Sequence, residues 1–276
     1  MNMSKFMYYV TYGLARGILS EYDLPEGAVI AFYIVSVLTC IIVPYLLGQL
    51  NFAIILSKKL FGVDVREYGS GNGGATNMLR TFGKKAGIVT LLGDMGKAVV
   101  SCIIGYLLLG RIGAFIAGFF CILGHTMPIK YKFKGGKGVA CAAAVILMTD
   151  LGNMLHIPIV FLILLLCFAV IALGLKYVSL ASVMCMLIYP LIMYQTEMII
   201  LNNVLDTSSP IFGSIVRDVG LSFLIAFMMA ILVIFMHREN IKRLLRGKES
   251  KLDLKGKKKT LYEESKAEKS NESDEK

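Results

Sequence analysis

A glycine-rich segment, Arg66–Arg80, contains the first side chains whose types and spacing could bind a substrate. Glycine lets backbone N–H groups approach a ligand closely, and a glycine-rich turn leading into a helix N-terminus is a site for anions. If a helix begins at Ala75, Thr76 and Arg80 share one face because they are four residues apart. The segment therefore predicts a phosphate site, and the alternative is a flexible polar loop. The candidate ligands are Ser70, Gly71, Asn72, Thr76, Asn77 and Arg80.

The same segment imitates a dinucleotide-binding fingerprint. Gly69, Gly71 and Gly74 give the pattern G-x-G-x-x-G, and Asp94 follows twenty residues later. That fingerprint requires a preceding strand and a βαβ unit. Here Asp94 lies inside an apolar run, three residues from Lys97. The sequence therefore disfavours a dinucleotide fold and predicts an intramembrane Asp94–Lys97 pair, which has either a functional role or a packing role.

A second segment, Gly124–Gly138, combines His125 with a glycine-rich, lysine-rich stretch. It resembles part of a P-loop, but the spacing G-x-x-x-x-G-K-[ST] is missing, so nucleotide hydrolysis is not supported. Glycines and lysines just before a predicted helix still form an anion-binding arrangement. The alternative is a plain cationic loop at a membrane surface. The residues concerned are Lys130, Lys132, Lys134, Gly135, Gly136, Lys137 and Gly138.

A third segment, His237–Leu244, begins where the last apolar run ends. His237 and Asn240 are three residues apart and share a helical face. The alternative is an amphipathic helix whose basic residues meet lipid headgroups. Ser179 and Ser182 also lie one turn apart, and hydrogen bonding between helices is their simplest role.

Covalent and metal-dependent chemistry are disfavoured by what the sequence lacks. It contains no G-x-S-x-G elbow and no paired-histidine metal motif. Its six cysteines include no C-x-x-C pair of the kind that metal sites and redox motifs use. We therefore expect no metal, no cofactor and no disulfide.

The composition indicates that membrane helices position these segments. Of the 276 residues, 56% are hydrophobic and 17% are charged, whereas soluble domains have about 45–50% apolar and about 25% charged residues. A spanning helix needs about 20 mostly apolar residues. We predict an all-α, polytopic integral membrane protein with about seven transmembrane helices. The predicted spans are 28–56 (interrupted near 48–51), 86–109, 112–129, 138–148, 154–173, 177–201 and 216–236.

Lysine and arginine predict the orientation. Three basic stretches, at 58–85, at 130–137 and after Met236, fall on one side if all seven segments span. The positive-inside rule makes that side cytoplasmic, so the N-terminus is expected outside and the C-terminus in the cytoplasm. The net charge of +10 is thereby assigned to cytoplasmic loops and not to nucleic-acid binding.

Three regions follow from this arrangement. Residues 1–26 are expected to form an extracytoplasmic extension, and residues 27–249 the transmembrane domain. Residues 250–276 are rich in lysine and glutamate with few apolar residues, and such a segment cannot bury enough surface to fold. We therefore expect a disordered cytoplasmic tail.

The chemistry-bearing segments resemble those of the bacterial acyl-phosphate:glycerol-3-phosphate acyltransferases, the PlsY family. The resemblance runs from about Tyr45 to Glu249, in the family's order. It rests on the sequence stretches REYGSGN and GATNMLR (66–80), GHTMP and FKGGKGVA (124–140), YVSLAS (177–182) and HRENIKRL (237–244).

The resemblance implies a seven-helix membrane enzyme of the bacterial plasma membrane with its site at the cytoplasmic face. Such enzymes transfer a fatty acyl group from acyl-phosphate, not acyl-CoA, to the sn-1 hydroxyl of glycerol 3-phosphate, giving lysophosphatidic acid for phospholipid synthesis. An acyl-phosphate-producing enzyme is the implied functional partner, and membrane lipids are the surroundings.

The resemblance also assigns roles to residues. Ser70, Thr76, Asn77 and Arg80 would line a phosphate site, and Lys137 with the surrounding loop would hold glycerol 3-phosphate. Ser182, His237 and Asn240 would complete the polar site. The proton of the acceptor hydroxyl would pass to His237 or to the phosphate of the donor, and we favour the phosphate because no catalytic dyad is evident.

Three positions depart from the family pattern. Gly73 replaces an apolar residue or proline, Cys141 replaces threonine, and the sequence 48–52 lacks the usual Gly-Ser-x-Pro-Phe. The alternative function is a small-anion transporter or channel. No internal repeat of the kind common in transporters is visible, which argues against that alternative.

Overall fold

The computed structural model describes residue 13 and residues 25–152, 158–204 and 210–252. Within these ranges all regular secondary structure is helical, which confirms the predicted all-α class. The helices are α1 (Glu26–Gly48), α2 (Phe52–Phe61), α3 (Ala75–Phe82), α4 (Lys84–Thr126), α5 (Val139–Leu151), α6 (Ile159–Gly174), α7 (Val178–Val204), α8 (Pro210–Met236) and α9 (Arg238–Leu245). Short 3-10 turns lie at Val65–Glu67 and Ile129–Tyr131. Most of the expected N-terminal extension and tail lies outside the described residues.

Four helical stretches of the described chain are long and apolar enough to cross a membrane: Glu26–Phe61, Lys84–Tyr131, Val178–Asn203 and Val216–Met236. The apolar helices α5 and α6 are shorter. Helix α4 is kinked at Leu109 and Gly110, where the backbone leaves helical geometry and Gly110 has φ 63°. Its two halves correspond to the second and third predicted spans. Seven spans and their orientation stay predictions.

The predicted break at the end of the first span is present. Helix α1 ends at Gly48, and α2 begins at Phe52 after a side-chain cap from Asn51, whose Oδ1 accepts the Ile54 N–H at 3.0 Å. Asparagine is a preferred N-cap because its carbonyl satisfies an otherwise unpaired helix N–H. The break therefore ends one helix and begins another within the first apolar stretch.

Helix α4 lies at the centre and packs against α1, α3, α5 and α8. Close packing depends on small residues, as is common between membrane helices. A Cβ atom on Gly48 or Gly124 would overlap the backbone of the facing helix. The buried core contains Phe115, Ile122 and Val145. This packing fixes the end of α1 against the end of α4, where the candidate site lies.

Candidate functional site

The first glycine loop, defined as Arg66–Gly74, is shaped by the side chain of Asn77. Its Oδ1 accepts the Ser70 N–H at 2.9 Å, and its Nδ2 donates to the carbonyls of Val65 and Tyr68 at 3.0 Å each. Both amide hydrogens are therefore used within the protein. Asn77 therefore shapes the loop, and its expected place at a phosphate site stays a prediction.

The backbone of the first glycine loop needs glycine. Gly69 and Gly71 have φ values of 59° and 71°, a region in which side chains are strained. Ser70, Gly71 and Thr76 are exposed, and Asn72 is half-buried. The loop thus presents hydroxyl groups and backbone to the outside while Asn77 holds it from within.

Helix α3 begins at Ala75, as predicted, so Thr76 and Arg80 lie on one face. Arg80 is half-buried. Within the described part of the chain, its guanidinium makes no hydrogen bond or ion pair with another residue. A planar cation without a protein partner is available to hold a phosphate through two parallel hydrogen bonds.

The second glycine loop, Lys134–Gly138, packs directly on His125. The Gly136 N–H donates to the His125 carbonyl at 3.0 Å, and a Cβ atom on Gly136 would overlap the imidazole Nε2. Lys134 is exposed, whereas Lys137 is half-buried. Only glycine fits against His125 here, so the loop's course is set by the imidazole.

One hydrogen bond joins the two glycine loops to each other, and another joins the first loop to Asn51. Arg66 donates from its guanidinium to the Lys134 carbonyl at 3.0 Å, and Asn51 donates to the Gly73 carbonyl at 2.9 Å. Asp64 holds Arg66 through contacts of 2.9 and 2.7 Å, and this ion pair lowers the pKa of Asp64 to about 2. Sequence reasoning gave no role to these residues. The predicted break at 48–51 could have indicated a role for Asn51, whereas no sequence pattern indicates the contact of Arg66 with the Lys134 carbonyl.

The C-terminal segment, His237–Glu249, folds back so that the Glu249 carboxylate collects three donors. Ser179 Oγ lies 2.8 Å from Oε1, Asn240 Nδ2 lies 2.6 Å from Oε1, and Arg243 Nε lies 2.8 Å from Oε2. Burial raises the pKa of Glu249, but these hydrogen bonds outweigh it and the net shift is downward. Glu249 has no predicted role, because nothing in its local sequence indicates these distant partners.

His237 and Lys137 lie beside this cluster. His237 is 2% exposed, and its Nδ1 contacts the Val233 carbonyl at 2.8 Å. Since a carbonyl only accepts, the proton is assigned to Nδ1, which leaves Nε2 as an acceptor. Burial lowers the pKa of His237 to about 4, with a further contribution from Lys137.

The electrostatics of Lys137 connect all three segments. Burial lowers its pKa to about 8, Glu249 raises it, and the cations Arg243 and Arg80 lower it further. These charges therefore lie within electrostatic reach of one another. Lys137 is thus influenced by Arg80 from the first segment and by Glu249 and Arg243 from the third, and the single polar site stays a prediction.

Ser182 does not join that cluster. It is 2% exposed, and its hydroxyl donates to the Val178 carbonyl at 2.8 Å within α7. Ser179, one turn earlier, contacts Glu249 instead. The hydroxyl proton of Ser182 is thus used by its own helix, and its expected place in the polar site stays a prediction.

The Asp94–Lys97 pair is present, with 2.8 Å between Oδ1 and Nζ. Asp94, His125 and Cys141 form a group of metal-ligand types. However, the Lys97 ammonium also lies 2.9 Å from His125 Nδ1. The Lys97 ammonium thus contacts both Asp94 and His125. We assign Asp94, Lys97 and His125 to an ion-pair network.

A family model described as glycerol-3-phosphate acyltransferase matches residues 38–247. The chain belongs to the glycerol-3-phosphate acyltransferase family. The matched range contains both glycine loops and ends two residues before Glu249.

Relatives within the glycerol-3-phosphate acyltransferase family include a Thermoanaerobacter pseudethanolicus protein, 39% identical over 220 residues, which covers 80% of this chain and 97% of the relative. A Finegoldia magna protein is 37% identical over 212 residues, covering 76% and 93%. A crystal structure of PlsY, an integral membrane glycerol 3-phosphate acyltransferase in its glycerol 3-phosphate form, aligns with TM-score 0.64 at 33% identity, covering 79% of this chain and 96% of that one. The lysophosphatidic acid form of PlsY aligns with TM-score 0.62.

Proposed function

We propose that this protein transfers a fatty acyl group from acyl-phosphate to the sn-1 hydroxyl of glycerol 3-phosphate, giving lysophosphatidic acid and phosphate. The observation that carries the proposal is that the two glycine loops are joined by the 3.0 Å hydrogen bond from Arg66 to the Lys134 carbonyl, with Lys137 in the second loop and Arg80 in the helix that follows the first. Membership of the glycerol-3-phosphate acyltransferase family supports the acceptor. The donor, the position of transfer and the residue roles are our proposals.

Charge explains why the reaction needs this arrangement. Both substrates carry phosphate groups, so bringing them together costs electrostatic repulsion that fixed cations offset. Arg80, with Ser70 and Thr76, is proposed to bind the phosphate of the donor. Lys137, with Gly135 and Gly136, is proposed to bind glycerol 3-phosphate. Prepositioned charges and orientation together supply several kcal/mol in such sites.

The chemical step needs no nucleophile from the protein. The sn-1 oxygen attacks the carbonyl carbon of acyl-phosphate, a new ester bond forms, and the bond from that carbon to the phosphate oxygen breaks. The hydroxyl proton passes to the departing phosphate, which is already a good leaving group. A neutral His237 with Nε2 free as an acceptor is proposed to orient the attacking hydroxyl, with Asn240 beside it.

We propose the membrane arrangement that the charge pattern predicts. Seven spans, with α5 and α6 as short members, place the three basic stretches in the cytoplasm. The site would then face the cytoplasm of a bacterial cell at the inner leaflet. Acyl-phosphate, an anionic amphiphile, would enter sideways from that leaflet after release from the enzyme that makes it.

Replacing His237 with glutamine should leave kcat within about fivefold of wild type and raise KM several-fold. Because the pKa of His237 is about 4, the ring is neutral at pH 7 and is a weak base. A general base typically contributes about 10²–10⁴-fold to the rate, so a variant that lacks one shows a large loss of kcat. Steady-state kinetics with both substrates varied measures the two effects. A loss of kcat of about 100-fold that added imidazole restores would instead establish His237 as the base.

The value of kcat/KM for glycerol 3-phosphate should fall above about pH 8. Lys137 has a pKa of about 8, and its neutral form cannot attract phosphate. The pH profile of kcat/KM reports groups of the free enzyme. The free energy of unfolding should instead rise with pH between about 8 and about 10.4, the pKa values of the folded Lys137 and of an unfolded lysine. In that range the unfolded chain binds more protons at this position than the folded protein does, and stability then increases with pH.

A Lys137→Arg variant is the matched comparison for that pH profile. Arginine stays protonated throughout this range, so its alkaline decline should move upward by at least one pH unit even if its activity is lower. An unchanged decline in Lys137→Arg would assign the titration to another group.

The function is tested with purified full-length protein in lipid mesophase. Glycerol 3-phosphate is supplied with palmitoyl-phosphate in one assay and palmitoyl-CoA in another, and lysophosphatidic acid and phosphate release are measured. Product from palmitoyl-phosphate alone supports the proposal. Product from palmitoyl-CoA alone refutes the donor assignment. If folded protein yields neither, anion flux in liposomes tests the transporter alternative.

A further inference from the structure

We propose that the buried residues Asp94, Lys97 and His125 form a charged brace that positions both glycine loops for the phosphate of glycerol 3-phosphate. These three are positioning residues, since they act through the loops. The inference rests on the proposed function, because it assigns a task to the same site. It concerns residues that the catalytic proposal does not use.

The Lys97 ammonium is the centre of the brace. It donates to the carbonyls of Gly48 at 3.0 Å and Leu50 at 2.7 Å. It also contacts His125 Nδ1 at 2.9 Å and Asp94 Oδ1 at 2.8 Å. All four contacts lie within the protein, and the Lys97 side chain is 3% exposed. One charged group thus links the break after α1 to the last turn of α4.

His125 carries the brace to the second glycine loop. An ammonium group only donates, so Nδ1 accepts and the ring proton is assigned to Nε2. Nε2 faces the loop, because a Cβ atom on Gly136 would overlap it. The carbonyl of His125 accepts the Gly136 N–H at 3.0 Å. The orientation of this ring therefore sets where the Gly135–Gly136 backbone lies.

Asn51 carries the brace to the first glycine loop. It directly follows Leu50, whose carbonyl binds Lys97, and its side chain donates to the Gly73 carbonyl at 2.9 Å. The two loops also meet, since a Cβ atom on Gly136 would lie 2.7 Å from that same carbonyl oxygen. A shift of Lys97 would therefore displace both loops together.

Stability alone does not explain a charged trio at this place. Burying a lysine, a carboxylate and an imidazole costs desolvation that packed apolar side chains of similar volume avoid. Such groups are kept where a specific geometry is required. Here the geometry is that of two glycine-rich loops, which the brace contacts through His125 and Asn51.

The test compares Lys97→Met with Arg111→Met in purified full-length protein. Arg111 forms another ion pair with a buried carboxylate, 2.6 Å from Glu197, and its own side chain is 17% exposed. It lies about 21 Å along α4 from His125, at 1.5 Å per residue. Both variants lose a cation that pairs with a buried carboxylate, but only Lys97 belongs to the brace. Binding of glycerol 3-phosphate is measured by calorimetry, with glycerol as the uncharged control, and kinetics are measured with palmitoyl-phosphate.

Lys97→Met should raise both Kd and KM for glycerol 3-phosphate at least tenfold while kcat stays within about threefold. Arg111→Met should keep both constants within twofold even if its Tm falls. His125→Asn keeps an acceptor for Lys97 and the backbone bond to Gly136 but loses the contact of the imidazole with Gly136, so it should raise the same constants. The double variant should show less than the sum of the two single effects, as expected for coupled residues.

The outcomes separate the two proposals. If wild-type protein binds glycerol 3-phosphate but Lys97→Met and His125→Asn bind it within twofold as well, the brace is refuted and the proposed function stands. If Lys97→Met fails to fold, His125→Asn decides alone by the same criterion. If folded wild-type protein does not bind glycerol 3-phosphate, the proposed function fails and the brace with it.

Discussion

Replacing Arg80 with lysine should lower kcat/KM for acyl-phosphate by about 100-fold or more. The guanidinium makes no protein hydrogen bond within the described chain, so its donors are free for a ligand, and it lies on the same face of α3 as Thr76. Lysine keeps the charge but replaces a planar fork with a point charge on a flexible stem. Loss of one donor to a developing anion commonly costs about 10²–10³ in rate.

The control for Arg80→Lys is Arg246→Lys. Arg246 is exposed just after α9, so the same chemical change there should leave kcat/KM within twofold. Steady-state kinetics and Tm are measured for both variants. Because Arg80 makes no hydrogen bond or ion pair with the residues that the structure describes, Arg80→Lys should keep the wild-type Tm. Normal turnover by Arg80→Lys would contradict its role at the phosphate.

Replacing Glu249 with glutamine should lower kcat/KM at least tenfold and also lower Tm. The Glu249 side chain is 9% exposed and accepts from Ser179, Asn240 and Arg243. Glutamine keeps the shape but loses the charge and turns one acceptor into a donor. Hydrogen bonds to charged groups contribute about 1.5–3 kcal/mol, and Asn240 would lose its fixed orientation beside His237.

Glu239→Gln is the matched control for this prediction. Glu239 belongs to the same segment and contacts Lys242 at 3.1 Å, but its side chain is 58% exposed. Exposed pairs contribute about 0–1 kcal/mol, so Tm and kcat/KM should both stay near wild type. Equal effects of the two substitutions would show that the buried cluster has no special role.

The sequence predicted the parts of the site that depend on local pattern. Glycine loops, the start of α3 at Ala75 and the Asp94–Lys97 pair follow from residue types and helical spacing, and the structure contains all three. Apolar runs likewise predicted the all-helical fold. Such features are set within a few residues of the chain.

The contacts that assemble the site could not be predicted in this way. Arg66 and the Lys134 carbonyl are 68 residues apart, and Ser179 and Glu249 are 70 residues apart. No spacing rule covers such separations, because they depend on how helices pack. The same limit applies to the roles of Asn77 and Ser182. Their residue types suggest that they bind a ligand, but their hydrogen-bond donors are used by backbone carbonyls of the protein.

The bond from Asn51 to the Gly73 carbonyl has an evolutionary consequence. Its acceptor is a backbone atom, and every amino acid, proline included, supplies the same carbonyl. A Cβ atom at position 73 would approach Asn51 at 3.2 Å, which a small adjustment accommodates. A different residue at position 73 therefore keeps the acceptor, whereas the donor depends on Asn51 itself, because proline, the residue that the family pattern usually has at position 51, carries no side-chain amide to make this bond.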